Sequence, residues 1–156
     1  MSAVITQTTA QAAYQAEVKE SEAHLGTNTF VGGFSSIITF GLTSTAIGIL
    51  GKLAQVTSDE PAIRNLVIPF PEMVKRLSVA GMLVTYVGSM ALLLASTSNV
   101  NSFATKTIFS NFIGGMAGWV SLTHGDSPDQ AILKAATAGA ATQVAVTMAG
   151  RLVSKL

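Results

Sequence analysis

The stretch LSVAGMLVTYVGSMALLLAST, from Leu77 to Thr97, decides how the rest of the chain is read. It contains no Asp, Glu, Lys or Arg, and its length suits a helix crossing a hydrocarbon core of roughly 30 Å, which takes about 20 residues. Leu83, Val84, Val87, Met90, Leu92, Leu93 and Leu94 make it apolar nearly all round. Such a helix calls for apolar surroundings on every side.

The same character extends outward along the chain. Over its 156 residues, 49% are hydrophobic and only 11% charged, where a soluble domain carries about 25% charge. Mean hydropathy is +0.50. No charged residue lies between Glu22 and Lys52, and none between Arg76 and Lys106. Soluble helices need a polar face to meet water, so two gaps of that length predict helices solvated by lipid.

Three further spans follow from this. Phe30 to Leu53 is long enough to cross a bilayer, although it mixes Phe34, Ile38, Leu42 and Ile49 with many small residues. Among those, Gly33, Gly41, Ser44 and Gly48 provide packing surface, and Ser44 and Gly48 stand four residues apart. Thr107 to Leu122 carries Gly114 and Gly118 as a GxxxG pair, with Trp119 near its end at the depth interfacial aromatics favour. Packing within the chain is the expected use of that pair. Ala131 to Val153 is Ala-rich, and Ala135, Ala138, Gly139 and Thr142 form a small-residue face suited to a bundle interior. The fold expected is all-α, a polytopic membrane four-helix bundle over residues 28–156, preceded by a polar or amphipathic segment at 1–27.

That leading segment lacks the basic start and apolar core of a signal peptide. Thr8 to His24 reads as a surface helix with Tyr14 and Val18 one turn apart, ended by Gly26. Between spans, Ser58 to Pro61 opens a short helix, and Pro69 and Pro71 impose an extended turn. Ser98, Asn99, Asn101 and Ser102 form a loop. In the turn His124 to Pro128, Ser127 and Gln130 have the spacing of a capping box, with Pro128 in the first helical position. Four spans would gather Lys19, Lys106, Arg151 and Lys155 on one side and Lys52, Arg64, Lys75, Arg76 and Lys134 on the other. The positive-inside rule does not choose between sets so close in number.

Candidate chemistry is sparse. The chain has no cysteine, which excludes disulfides, thiolate catalysis and cysteine-ligated metals. Net charge is +1 with both signs mixed, so no nucleic-acid partner is expected. The two histidines, His24 and His124, lack HExxH or paired-carboxylate spacing, and neither a metal nor a cofactor is expected. His124 with Asp126 and Asp129 is the densest ionisable cluster. His124 and Asp126 are the candidates for acid/base work; the alternative is a polar loop whose carboxylates favour a helix N-terminus. Asn111 and Gln143 are the polar groups at depth, expected to hydrogen-bond between helices. No GxSxG, Walker A or dinucleotide fingerprint occurs. Ser154, Lys155 and Leu156 match the peroxisomal address Ser-Lys-Leu, a signal more usual on soluble matrix proteins.

Two resemblances bear on this. Gly115 to Gly139, with its Gly-rich start, His124-Gly125 and the run Ala-Ile-Leu-Lys-Ala-Ala-Thr-Ala-Gly, is similar to the closing helices of ribokinase-type sugar kinases. That family needs a Gly-Ala-Gly-Asp turn just before this region. Here the corresponding stretch is Ser110-Asn111-Phe112-Ile113 and no sugar-binding half precedes it, so kinase activity is not expected. The layout from about Phe30 to Val153 is one span, a longer polar loop, two spans, Trp119 followed by His124-Gly125, and a last small-residue span. It resembles small four-helix membrane proteins of unknown function found widely in fungi. That resemblance implies a fold and a eukaryotic setting.

Three functions stay open at this point. One is a non-enzymatic structural or accessory membrane subunit, partnered by the lipid bilayer and by other membrane subunits or a second copy of itself. Another is a membrane-bound enzyme or carrier for a lipophilic small molecule, with His124, Asp126 or Asn111 lending polarity to a pocket. The third is a soluble helical peroxisomal protein.

Overall fold

The structure is a computed structural model that describes residues 2–95 and 103–155. Over the described residues it is all-helical, with α1 Ser2–Ala23, α2 Leu25–Val56, α3 Pro61–Arg64, α4 Phe70–Arg76, α5 Ser78–Ala95, α6 Phe103–Thr123 and α7 Pro128–Ser154. The loop expected at Ser98 to Ser102 and the final residue, Leu156, lie outside the described residues.

Several bounds differ from those expected, each for a local reason. Gly26 does not end a helix. The break is at His24, and the Asn28 N–H donates to the His24 carbonyl at 2.9 Å to start α2 at once. The helix at the third span begins at Phe103, which brings Lys106 inside it. Ahead of α7, Ser127 caps with both halves of the capping box formed and Pro128 in the first turn. Gly125 takes a φ of +86° in the preceding turn, the left-handed region that glycine enters without a Cβ penalty.

α2, α6 and α7 pack on one another and form the centre of the molecule, while α5 lies chiefly against α6 and touches α2 little. Neighbouring residues give the directions. Gly32 of α2 meets Ser110 of α6 and Gln143 of α7, whereas Gly118 of α6 meets Phe40 of α2. α2 and α6 therefore run parallel and α7 runs against both. α5, whose Gly81 lies against Trp119 and whose Thr85 lies against Gly115, also opposes α6. One end of the bundle gathers Lys19, Lys106, Arg151 and Lys155; the other gathers Lys52, Arg64, Lys75, Arg76 and Lys134. The helical length between the two ends has no charged residue.

The interior has two halves. Toward α4 it is apolar: Phe40, Ile47, Val74, Trp119, Leu122, Ala131 and Ala135 form one cluster. Trp119 is fully buried and meets Phe40 edge-on, ring centres 5.3 Å apart, so it is a core residue and not the interfacial one expected. Toward α1 the interior is polar: Asn28, Ser36, Lys106, Ser110, Gln143 and Thr147 are all buried. α1 closes this end, with Val18 buried and the Tyr14 hydroxyl donating to the Gly150 carbonyl at 3.3 Å. At the opposite end Gln55 Nε2 donates to the carbonyls of Leu66 at 2.6 Å and Ile63 at 3.1 Å. Lys52 donates to the Ile68 carbonyl, so these two side chains fasten the α3–α4 connection back onto α2.

Candidate functional site

α5 turns its polar face inward. Ser78, Gly81, Thr85 and Ser89 are its buried residues, and they recur at the three- and four-residue spacing of one helix face. Leu83, Val84, Val87 and Leu94 point outward, Leu94 being 82% exposed. The apolar surroundings expected on every side of this helix are thus supplied by the protein on one side only. The first half of α2 follows the same rule, with Gly32, Gly33 and Ser36 buried and Phe30, Phe34 and Ile38 exposed, whereas farther along it buries Phe40 and Ile47. Both helices are long and apolar enough to cross a membrane.

The inward face of α2 is a close-packed seam. A Cβ on Gly114 would come 2.5 Å from Ser36 Oγ and 2.7 Å from the Ala135 carbonyl oxygen. One on Gly118 would come 2.7 Å from the Phe40 ring, and one on Gly139 would come 2.6 Å from the Gly32 carbonyl oxygen. Gly48 is covered by Phe70 and Val74, and Ala135 is fully buried. Gly114 and Gly118 therefore both face α2 of their own chain. Gly41 is different: a Cβ there would meet nothing within 4 Å. Gly41 and Ser44 line a shallow, mostly apolar hollow with Phe40, Phe70 and Ile132. Ser36 donates to the carbonyls of Gly32 at 2.7 Å and Ser110 at 2.9 Å, which crosses the seam with a polar bond. Ser35 Oγ lies 2.7 Å from Asn111 Oδ1, and Gln143 Nε2 donates to Thr107 Oγ1 at 3.3 Å. Asn111 and Gln143 thus each bridge two helices.

Because α5 leans on α6 and leaves α2, a groove opens between α2 and α5 with α6 as its floor. It encloses about 230 Å³ and is lined by Thr39, Thr43, Thr85, Ser89 and Asn111 together with Val84, Gly88, Leu92 and Ile108. No Asp, Glu, Lys, Arg or His lines it. Thr85 is only 5% exposed, and its hydroxyl has no hydrogen-bond partner. Its methyl is turned toward Gly115, with Oγ1 the more distant atom. Some hydroxyls in these helices bond back one turn, as Thr29 does to Leu25 and Thr45 does to Gly41, whereas Ser44 Oγ and Ser110 Oγ are, like Thr85 Oγ1, buried without a partner.

The ionisable candidates lie away from this groove. His124 is exposed and its Nδ1 is 2.8 Å from the Val120 carbonyl oxygen of its own helix end. Asp126 accepts from Ser121 Oγ at 2.5 Å and pairs with Lys134. The Lys134 ammonium and the Ser121 hydroxyl hold the Asp126 carboxyl below its ordinary value. His124 and Asp126 make no hydrogen bond to each other among those described, and Asp126 serves to tie the α6–α7 turn. At the other end, Arg151 and Glu22 pair at 3.2 Å, and Lys106, fully buried, reaches Thr147 Oγ1 at 3.3 Å. Ser154 is the last residue of α7 and Lys155 caps it.

The burial of Lys106 and the inward setting of the groove hydroxyls are not evident from the sequence. Lys106 stands one residue before the expected third span, so it read as a boundary charge. The signal for the groove is in the sequence: small and hydroxyl residues recur every three or four positions in an otherwise apolar helix, at Ser78, Gly81, Thr85 and Ser89. Among the described residues no group of three His, Asp or Glu side chains could hold a metal ion. Comparison with protein-family models, with curated proteins and with solved structures returns no match.

Proposed function

We propose that the chain is a small integral membrane protein in which α2, α5, α6 and α7 cross the bilayer, and that it serves as a structural or accessory subunit. The observation that carries this reading is the inverted face of α5: Thr85 and Ser89 inside, Leu83, Val84 and Val87 outside. In water that arrangement would leave a large apolar surface exposed, which soluble monomers avoid. In lipid it costs nothing on the outside, and small or hydroxyl residues inside allow close helix approach. Two further observations support it. Ionisable side chains collect at the two ends of the bundle, and α6 at 21 residues spans about 31 Å, close to a hydrocarbon core of roughly 30 Å.

Support for an accessory role comes from how these polar groups are used: Ser36, Asn111, Gln143 and Asp126 each bind neighbouring elements of the same chain. Washing cell membranes with alkaline carbonate tests the integral reading. The protein is expected to stay in the membrane pellet, and release into the supernatant would overturn the reading in favour of a soluble helical protein. Native sizing after extraction in mild detergent tests the subunit role. Migration within a larger assembly is expected, and a lone monomer would contradict it.

A further inference from the structure

We infer that the α2–α5–α6 groove is a binding site for a neutral lipophilic molecule bearing a carbonyl oxygen, such as a ketone, ester or quinone, which enters from the bilayer. This rests on the membrane reading above and goes beyond it. The observation is a surplus of hydrogen-bond donors in an uncharged recess. Thr85 Oγ1 is buried and unpartnered, as are Ser44 Oγ, Ser110 Oγ and Trp119 Nε1, but of these only Thr85 belongs to the lining of this groove, and an unpaired polar group away from water is costly. Asn111 has its carbonyl oxygen engaged by Ser35, so what it has left to offer the groove is its NH2 group, a donor. Ser89, Thr39 and Thr43 add hydroxyls around the same space. A carbonyl oxygen accepts from such groups and needs no proton in return.

The rest of the lining fixes the remainder of the ligand. Val84, Leu92 and Ile108 suit an alkyl or ring body. A carboxylate or ammonium would find no opposite charge in the groove and would have to be desolvated without compensation. Gly88 stands at the wall with nothing within 4 Å of where its Cβ would be, which keeps the recess open to the outer surface.

The test uses the full chain in native membranes with a photoactivatable, alkyne-tagged long-chain ketone, set beside the matched alkane probe that lacks the carbonyl. Cross-linked peptides are mapped by mass spectrometry. The ketone is expected to label residues around Thr39–Thr43 and Thr85–Leu92 about tenfold more than the alkane, the gain expected from one to two well-made hydrogen bonds. Thr85→Val with Ser89→Ala should bring ketone labelling down to the alkane level. Gly88→Phe, which fills the recess from open space, should abolish labelling by both probes at this position. Thr45→Val, a back-bonded hydroxyl outside the groove, should change nothing. Equal labelling by the two probes, ketone labelling untouched by either groove variant, or no labelling by either probe would each overturn the inference. Retention in the carbonate pellet alongside any of these results would remove the ligand site and leave the membrane reading standing.

Discussion

Ser36 of α2 occupies the space that a side chain on Gly139 of α7 would need: an ideal Cβ there lies 2.8 Å from Ser36 Cβ and closer still to its hydroxyl. The same hydroxyl bonds the Ser110 carbonyl of α6. Three helices therefore meet at one serine, and their approach depends on the absence of a single carbon atom. Gly139→Ala should destabilise the bundle by about 1–3 kcal/mol, as overpacking of a close core does. Gly88→Ala, inside α5 where the added carbon meets nothing, should leave the protein as stable as the parent or more stable by up to about 1 kcal/mol. Unfolding in detergent by stepwise addition of a denaturing detergent compares the two.

The lone tryptophan gives a second check. Trp119 is fully buried, packed against Phe40 and covered by Gly81. Its emission should be blue-shifted and insensitive to aqueous acrylamide in the folded protein. Gly81→Leu, which drives a side chain into the indole, should shift the emission to the red and open it to the quencher. An interfacial tryptophan would instead be quenched in the parent protein.

A third concerns the α6–α7 turn. The pairing of Asp126 with Lys134 and Ser121 holds its carboxyl below the ordinary value of 3.8. A group that titrates lower when folded than when unfolded adds stability above its unfolded value and loses it as pH falls through the folded one. The thermal midpoint should therefore fall as pH drops below about 4, the ordinary carboxylate range. Asp126→Asn should remove that part of the decline while leaving the midpoint at lower pH nearly unchanged. Subtracting the two profiles isolates this residue from the other carboxylates.

These three sites differ in how far the sequence revealed them. The cap of the turn is legible, because Ser127, Pro128 and Gln130 act locally and a capping box needs no tertiary partner, whereas the Asp126 contacts with Lys134 and Ser121 depend on how the two helix ends meet. The helices themselves were legible from apolar runs and charge gaps. Which face each helix buries was not; on the proposed membrane reading an apolar helix gains little by hiding its leucines, and the choice is made by the small and hydroxyl residues that let backbones approach. Gly41 and Gly48 illustrate this. Both are glycines on α2, yet only Gly48 is covered, because the α4 segment folds back over it with Phe70 and Val74. The depth of Trp119 was hidden for the same reason, as it depends on α5 presenting Gly81 opposite it.

The most direct measurement of membrane crossing uses the cysteine-free background. Single substitutions Lys19→Cys and Lys155→Cys lie at one end of the bundle, and Asp59→Cys and Asp129→Cys at the other. In sealed membrane vesicles treated with a membrane-impermeant maleimide, one pair should react at once and the other only after the vesicles are permeabilised. Immediate reaction of all four in intact vesicles would contradict a bundle that spans the bilayer.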